Sequence, residues 1–253
     1  MSRQIPEPVD IAGRMRRQVQ RLTFGPPVEF VYNPLEYAWE THVDYLARYG
    51  TGTPEVLLLG MNPGPWGMAQ TGVPFGEIHI VRNWLGIRGR IGRPGKEHPR
   101  VRVTGFECRR SEISGTRLWG WARDSFGTPR RFFGRFFVTN YCPLMFLDPA
   151  GRNLTPDKLP IRQRDPLLSV CDGALRGMVE AIRPRWVIGV GGFAESRARV
   201  ALTGISIPIG RILHPSPASP IANRDWAGQA VRQLGELGID VPSGNRKNIV
   251  ADG

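Results

Sequence analysis

The segment "EVLLLGMNPGPWGMAQTGVPFG" (residues 55–76) joins a short apolar run to a loop that, from Gly60 to Gly76, holds five glycines, three prolines and no charged side chain. A run of Val and Leu bounded by turn residues fits a strand buried on both faces, as strands of parallel sheets are. Three more stretches have this form: "RFFVTNY" (135–141), "RWVIGVGG" (185–192) and "IPIGRILHP" (207–215). Helix-like stretches lie between them. "PLEYAWETHVDYLARYG" (34–50) spaces Tyr37, Trp39, Val43 and Leu46 near helical period, and "DPLLSVCDGALRGMVEAIRP" (165–184) reads as a helix capped by Asp165 and stopped by Pro184. "GFAESRARVALTG" (192–204) and "NRDWAGQAVRQLGELG" (223–238) repeat the pattern. This alternation predicts an α/β fold whose short parallel sheet of about four strands is covered on both faces. One domain over 1–240 fits the length, and 241–253 reads as a flexible tail.

In such a sheet, ligands bind outside the carboxyl ends of the strands, so the chemistry is expected in "MNPGPWG", "NYCP", "GGF" and "HPSP". The loop at 60–76 is a poor phosphate cradle. It lacks the Gly-Lys-Ser/Thr ending that neutralises a triphosphate, and its prolines remove N–H donors. Rigid backbone beside Phe75 suits a flat, neutral heterocycle better, with the ring stacked on the aromatic and main-chain groups at its polar edge.

The 34 basic and 22 acidic residues leave a net charge of +12, which concentrates polyanions at the surface. Lys96, Lys158 and Lys247 are the only lysines, so the charge is nearly all guanidinium, which forks onto phosphate and stacks on bases. Residues 82–110 carry nine Arg or Lys against two acids, +7 of the +12, and a nucleic-acid face is the expectation there. Genome composition alone is the competing account of so many arginines. Cys108, Cys142 and Cys171 are spaced for neither a disulfide framework nor a metal motif, and the four histidines are scattered. Buried reduced thiols, no metal and no cofactor are expected. The N-terminus lacks an apolar leader and no run reaches the ~20 apolar residues of a membrane span. A soluble intracellular protein is expected: cytoplasmic and nucleoid-associated in a bacterium, nuclear in a eukaryote, and away from membranes.

Five blocks in order, "GMNPGPWGMAQTGVPFG" (60–76), "CRRSEISGTRLWGW" (108–121), "FFVTNYCPLMFL" (136–147), "GRNLTP" (151–156) and "HPSPASP" (214–220), resemble the single-strand-selective monofunctional uracil-DNA glycosylases. The likeness runs from about Val28 to Gly238. It implies a three-layer α/β/α fold and removal of uracil and oxidised 5-substituted uracils from DNA, leaving an abasic site, with deaminated purines such as xanthine and hypoxanthine as further substrates of some relatives. By matching position, Asn62 orients the attacking water and His214 stabilises the departing base. Phe75 stacks on the flipped base, Asn140 pairs with its Watson–Crick edge, and Met61 and Gly64 shape the wall beside C5. The segment from Pro215 to Asn223, with Pro215, Ser216, Pro217, Ala218, Ser219 and Pro220 at its head, corresponds to the wedge that fills the gap left by the flipped nucleotide. Three positions depart from the family's habit: Trp66 stands where Phe is common, and Ala218 and Ser219 stand where a basic residue and Asn are common.

The residue types suit these roles. Breaking the N-glycosidic bond puts negative charge on the pyrimidine, which an imidazole N–H can stabilise. An Asn cannot take a proton as Asp can, so Asn62 can orient water without acting as a strong base. No lysine lies in the motifs, so a Schiff-base lyase step lacks a nucleophile. The expected partner is DNA, single-stranded and duplex, bound by a monomer. Two other readings stay open on the sequence: a silent module that captures damaged bases, and a hydrolase of free nucleotides, for which the +7 segment would have no purpose.

Overall fold

The computed structural model of the chain describes residues 7–242. Ten helices are assigned within them: α1 (Glu7–Val19), α2 (Pro34–Tyr37), α3 (Trp39–Tyr49), α4 (Met68–Thr71), α5 (Ile78–Asn83), α6 (Ile113–Phe126), α7 (Pro129–Phe133), α8 (Ile161–Ile182), α9 (Gly192–Ala201) and α10 (Pro220–Glu236). The strands are β1 (Phe30–Tyr32), β2 (Val56–Gly60), β3 (Phe136–Asn140), β4 (Met145–Leu147), β5 (Asn153–Leu154), β6 (Trp186–Val190) and β7 (Ile209–Ile212). No helix among the described residues is long and apolar enough to cross a membrane.

The four expected strands form one parallel sheet in the order β3-β2-β6-β7. Every residue of β2 is buried, which requires cover on both faces of the sheet because successive side chains point to opposite sides. β2 lies centrally, with β3 on one side and β6 on the other, so its carboxyl end opens between the neighbouring strand ends. A second sheet, β1-β4-β5, is antiparallel and was not expected from the sequence.

Several boundaries correct the sequence reading. The stretch 34–50 is two helices broken at Ala38, whose backbone leaves the helical region and whose side chain is fully buried. α8 begins at Ile161, a turn before Asp165, and carries Pro166 inside it. Its first turn is tethered by Gln163, which accepts the Gly25 N–H (3.3 Å) and donates to the Pro26 carbonyl (3.4 Å), so the missing Pro166 N–H does not set the start. α10 begins at Pro220 rather than Asn223, but Asp225 is non-helical and accepts the Gly228 N–H (2.9 Å). Residues 220–224 are therefore a separate turn, capped by Ser219, with a kink before the long helix. Cys142 and Cys171 are buried and free, while Cys108 is partly exposed. Most of the expected tail, residues 243–253, lies outside the described residues.

An aromatic cluster fixes the helix that matters most for the site. Trp119 and Trp121 of α6 pack edge-on against Phe132, which stacks on Phe136 of β3 at 5.5 Å. All four are buried, and each such side chain contributes roughly 1.5–3 kcal/mol. The cluster anchors the middle of α6 against α7 and the amino end of β3, and the residues at the N-terminal end of α6, Glu112 to Ser114, line one cleft with Met61 and Asn140 at the carboxyl ends of β2 and β3.

Candidate active site

A cleft of about 320 Å³ opens at those strand ends. Met61, Asn62, Gly64, Trp66 and Phe75 line it from the loop after β2, Asn140 from the end of β3, and His214 and Pro217 from the segment after β7. The sequence separates these residues by up to 156 positions, and the parallel register brings them together. All six base-binding and catalytic candidates, Met61, Asn62, Gly64, Phe75, Asn140 and His214, are lining residues.

The floor depends on Gly60. A Cβ there would collide with Asn140 Oδ1 and the Phe75 ring, so only glycine lets both side chains close over the strand end. Phe75 is held at φ 53°, a left-handed conformation that costs a non-glycine residue on the order of 1–3 kcal/mol. Its neighbours restrain it: Gly76 N–H donates to the Val73 carbonyl (2.8 Å), Thr71 Oγ1 to the Gly76 carbonyl (3.0 Å), and Trp119 Nε1 to the Pro74 carbonyl (3.2 Å). Strain maintained this way fixes the ring as a platform in the cleft.

Asn62 is oriented by one bond. Its Nδ2 donates to the Leu144 carbonyl (3.2 Å), and Oδ1, an acceptor, has no hydrogen-bond partner among the described residues. The backbone around it is stitched past the strand ends, Tyr141 N–H to the Gly60 carbonyl (2.9 Å) and Cys142 N–H to the Met61 carbonyl (2.8 Å). Asn140 Nδ2 donates to Met68 Sδ (3.2 Å), and its second N–H has no partner among the described residues.

His214 follows a doubly tied residue: Leu213 N–H donates to Gln233 Oε1 and its carbonyl accepts Trp226 Nε1–H, both at 2.7 Å. The imidazole centroid lies 6.2 Å from that of Phe75. Burial holds its pKa below the usual histidine value, so at pH 7 the ring is neutral and offers one N–H.

Sequence reasoning missed the most unusual group in the cleft. Glu112, the N-cap residue of α6, does not cap its own helix. Its carboxylate turns to the loop after β2 and accepts the backbone N–H groups of Trp66 (3.3 Å) and Gly67. Gly64 makes room for it, since a Cβ there would overlap both carboxylate oxygens. Desolvation pushes the Glu112 carboxyl up to about 7, against the lowering effect of the two N–H bonds. Asn153 and Thr155 of the "GRNLTP" block also line the cleft, with Asn153 Nδ2 donating to the Pro63 carbonyl (3.4 Å). Acidic and amide residues in a loop carry no periodic signal, so only the quoted blocks as wholes pointed to them.

Of the wedge candidates, Pro217 reaches the cleft and Pro217, Ala218 and Pro220 are exposed, while Pro215 is buried and Ser216 and Ser219 are partly so. Ile221 extends the apolar tip and is 53% exposed. In the basic segment, every Arg and Lys from Arg88 to Arg110 is exposed, and Arg110 lies over the Trp66 ring at 4.4 Å, at the edge of the cleft.

A model of the uracil-DNA glycosylase superfamily matches residues 47–234. The chain belongs to that superfamily. Within it, a rat protein named single-strand selective monofunctional uracil-DNA glycosylase is 52% identical over 228 residues, 89% of this chain and 82% of its own length. The bovine protein of the same name is 51% identical, with 89% and 84% covered. The crystal structure of wild-type Pedobacter heparinus SMUG2 shares the fold at 17% identity, with a TM-score of 0.62 over 90% of this chain and 98% of that one. The three-layer expectation is met: a four-stranded parallel sheet with helices around it is the architecture of this superfamily member.

Proposed function

We infer that Asn62 and His214 are the pair with which this chain hydrolyses the N-glycosidic bond of uracil in DNA. The activity follows from the family: a monofunctional uracil-DNA glycosylase releases the base, leaves an abasic site and begins base excision repair. The assignment to these two residues rests on one observation. A fixed amide with a free oxygen and a neutral imidazole share a single cleft with Phe75 and Asn140.

A uracil rotated out of the stack lies on Phe75, with its O4 and N3–H against the side-by-side donor and acceptor of Asn140. Water held by Asn62 Oδ1 attacks the anomeric carbon as the bond to the base lengthens, and His214 donates to a carbonyl oxygen of the departing anion. Loose transition states of this kind need orientation of water more than a strong base. Met61 and Gly64 form the wall assigned to C5, with Glu112 behind Gly64. That wall is where 5-hydroxymethyluracil is accepted and thymine rejected, and xanthine and hypoxanthine are the further bases to test. Among the described residues no lysine lines the cleft, in keeping with release of the base without strand cleavage.

DNA is held through the exposed arginines as a single strand or as a duplex, by one copy of the chain. Affinity for both forms is expected to fall steeply between about 50 and 200 mM salt through counterion release. The decisive assay uses oligonucleotides with one uracil, 5-hydroxymethyluracil, xanthine, hypoxanthine or thymine, in EDTA, followed by alkali. Strand breaks at uracil only after alkali support the reading, whereas intact strands with both single-stranded and mismatched substrates overturn it. Asn140→Ala should cost uracil about 5- to 150-fold in kcat/KM, the weight of one or two buried hydrogen bonds, and narrow the preference for uracil over cytosine. Unchanged discrimination would remove Asn140 from base recognition.

A further inference from the structure

The loop that follows His214 is built as a unit of its own. Ala218 N–H donates to Ser216 Oγ (3.1 Å), Ser219 N–H to the Ser216 carbonyl (3.1 Å), Asn223 Nδ2 to the Pro217 carbonyl (2.9 Å), and Ser219 Oγ caps the turn through Ala222 N–H (3.3 Å). Its boundaries are anchored at Leu213, bonded by Trp226, and at the Asp225 kink. Between those anchors, the hydrogen bonds that reach the loop from elsewhere among the described residues come from Arg117 of α6. One guanidinium nitrogen donates to the carbonyls of Pro215 and Ser216, both at 3.2 Å, and another to Asn223 Oδ1 at 2.8 Å. All three acceptors are neutral oxygens. The planar fork thus spans both limbs of the loop and ties them to the helix that the aromatic cluster fixes.

We propose that Arg117 is a positioning residue that holds the Pro215–Asn223 loop in the shape that enters a duplex, so that its loss weakens uracil excision from duplex DNA more than from single strands. The proposal rests on the reading of the cleft given above. Extracting a paired base requires an apolar element to take its place in the stack, here the exposed Pro217, Ala218, Pro220 and Ile221. A base in a single strand is already free to leave its neighbours. A loop that wanders loses the first task and burdens the second far less.

The geometry separates this role from a phosphate contact. A lysine keeps the charge but cannot span three divergent acceptors, so Arg117→Lys should behave as Arg117→Ala does. Single-turnover excision is measured for wild type, Arg117→Ala, Arg117→Lys and Asn223→Ala on single-stranded uracil and on a U:G duplex, with melting temperatures alongside. The expected result is a duplex-to-single-strand rate ratio lowered about tenfold or more in all three variants, and no further fall in the double variant Arg117→Ala/Asn223→Ala, because both break one network. Equal losses on both substrates, or a lysine variant with the wild-type ratio, overturn the proposal. A second readout is 2-aminopurine fluorescence beside uracil in a duplex, in the His214→Leu background where excision is slow. Wild-type loops should unstack the probe and Arg117→Ala loops should not, and failure of the wild-type loop to do so also overturns it. Absence of excision from single strands by the wild-type protein would instead strike the assignment of the cleft.

Discussion

Replacing His214 by leucine is expected to slow excision of uracil by about 10²–10³-fold, the usual weight of one donor aimed at an oxygen that gains charge in the transition state. Leucine fills similar space and removes both ring nitrogens. The ties through Leu213, Gln233 and Trp226 use backbone on one side of the bond and stay intact, so the melting temperature should change little. DNA affinity should also hold, because a stabiliser of the departing anion acts mainly in the transition state. Asn62→Ala is expected to cost about 10²-fold by the separate route of leaving the water unoriented. Single-turnover rates with excess enzyme decide the matter. A His214→Leu enzyme within tenfold of wild type would remove this histidine from the chemistry.

The parallel sheet was legible because buried parallel strands are continuous apolar runs, and all four runs became paired strands within a few residues of their expected ends. From that followed the place of the site, since strand-end loops converge by topology. The second sheet was not legible: β1 and β4 have three residues each and β5 two, too few for any period to show. α1 does carry a signal, with Ile11, Ala12, Met15 and Val19 at helical spacing and all buried. The lengthening of α8 upstream of Asp165 reflects a tertiary tether at Gln163 that no local pattern encodes. Asn62, Phe75, Asn140 and His214 were found through motif resemblance. Glu112 and Arg117 lay inside a quoted motif and went unassigned, because what marks them is burial and hydrogen bonding between distant segments.

Glu112 supplies the other large effect. Its carboxyl, ordinarily near 4.5, is raised to about 7, so the folded protein binds this proton more tightly than the unfolded chain does. The stabilisation from protonated Glu112 is complete below about 4.5 and is lost as pH rises toward 7 and beyond. A gap of that size corresponds to ~2–3 kcal/mol after allowance for partial exposure. Glu112→Gln keeps an oxygen to accept the Trp66 and Gly67 N–H groups and carries no charge. At pH 8 it should therefore melt about 5–10 °C above wild type, and at pH 5 the two should nearly coincide. Glu112→Ala loses the acceptor and leaves a void, so it should be destabilised at both pH values. The same ionisation bears on the reaction, because the anion formed on the base and an ionised Glu112 would share one cleft. Burial holds the His214 pKa below its ordinary value, so that ring is already neutral as pH rises through 7 and adds no change of charge there. Wild-type excision is thus expected to decline as pH rises through 7, while the Gln variant stays level. Identical melting shifts at pH 5 and 8, together with parallel rate profiles, would show that Glu112 is ionised throughout and serves only to tie the loop.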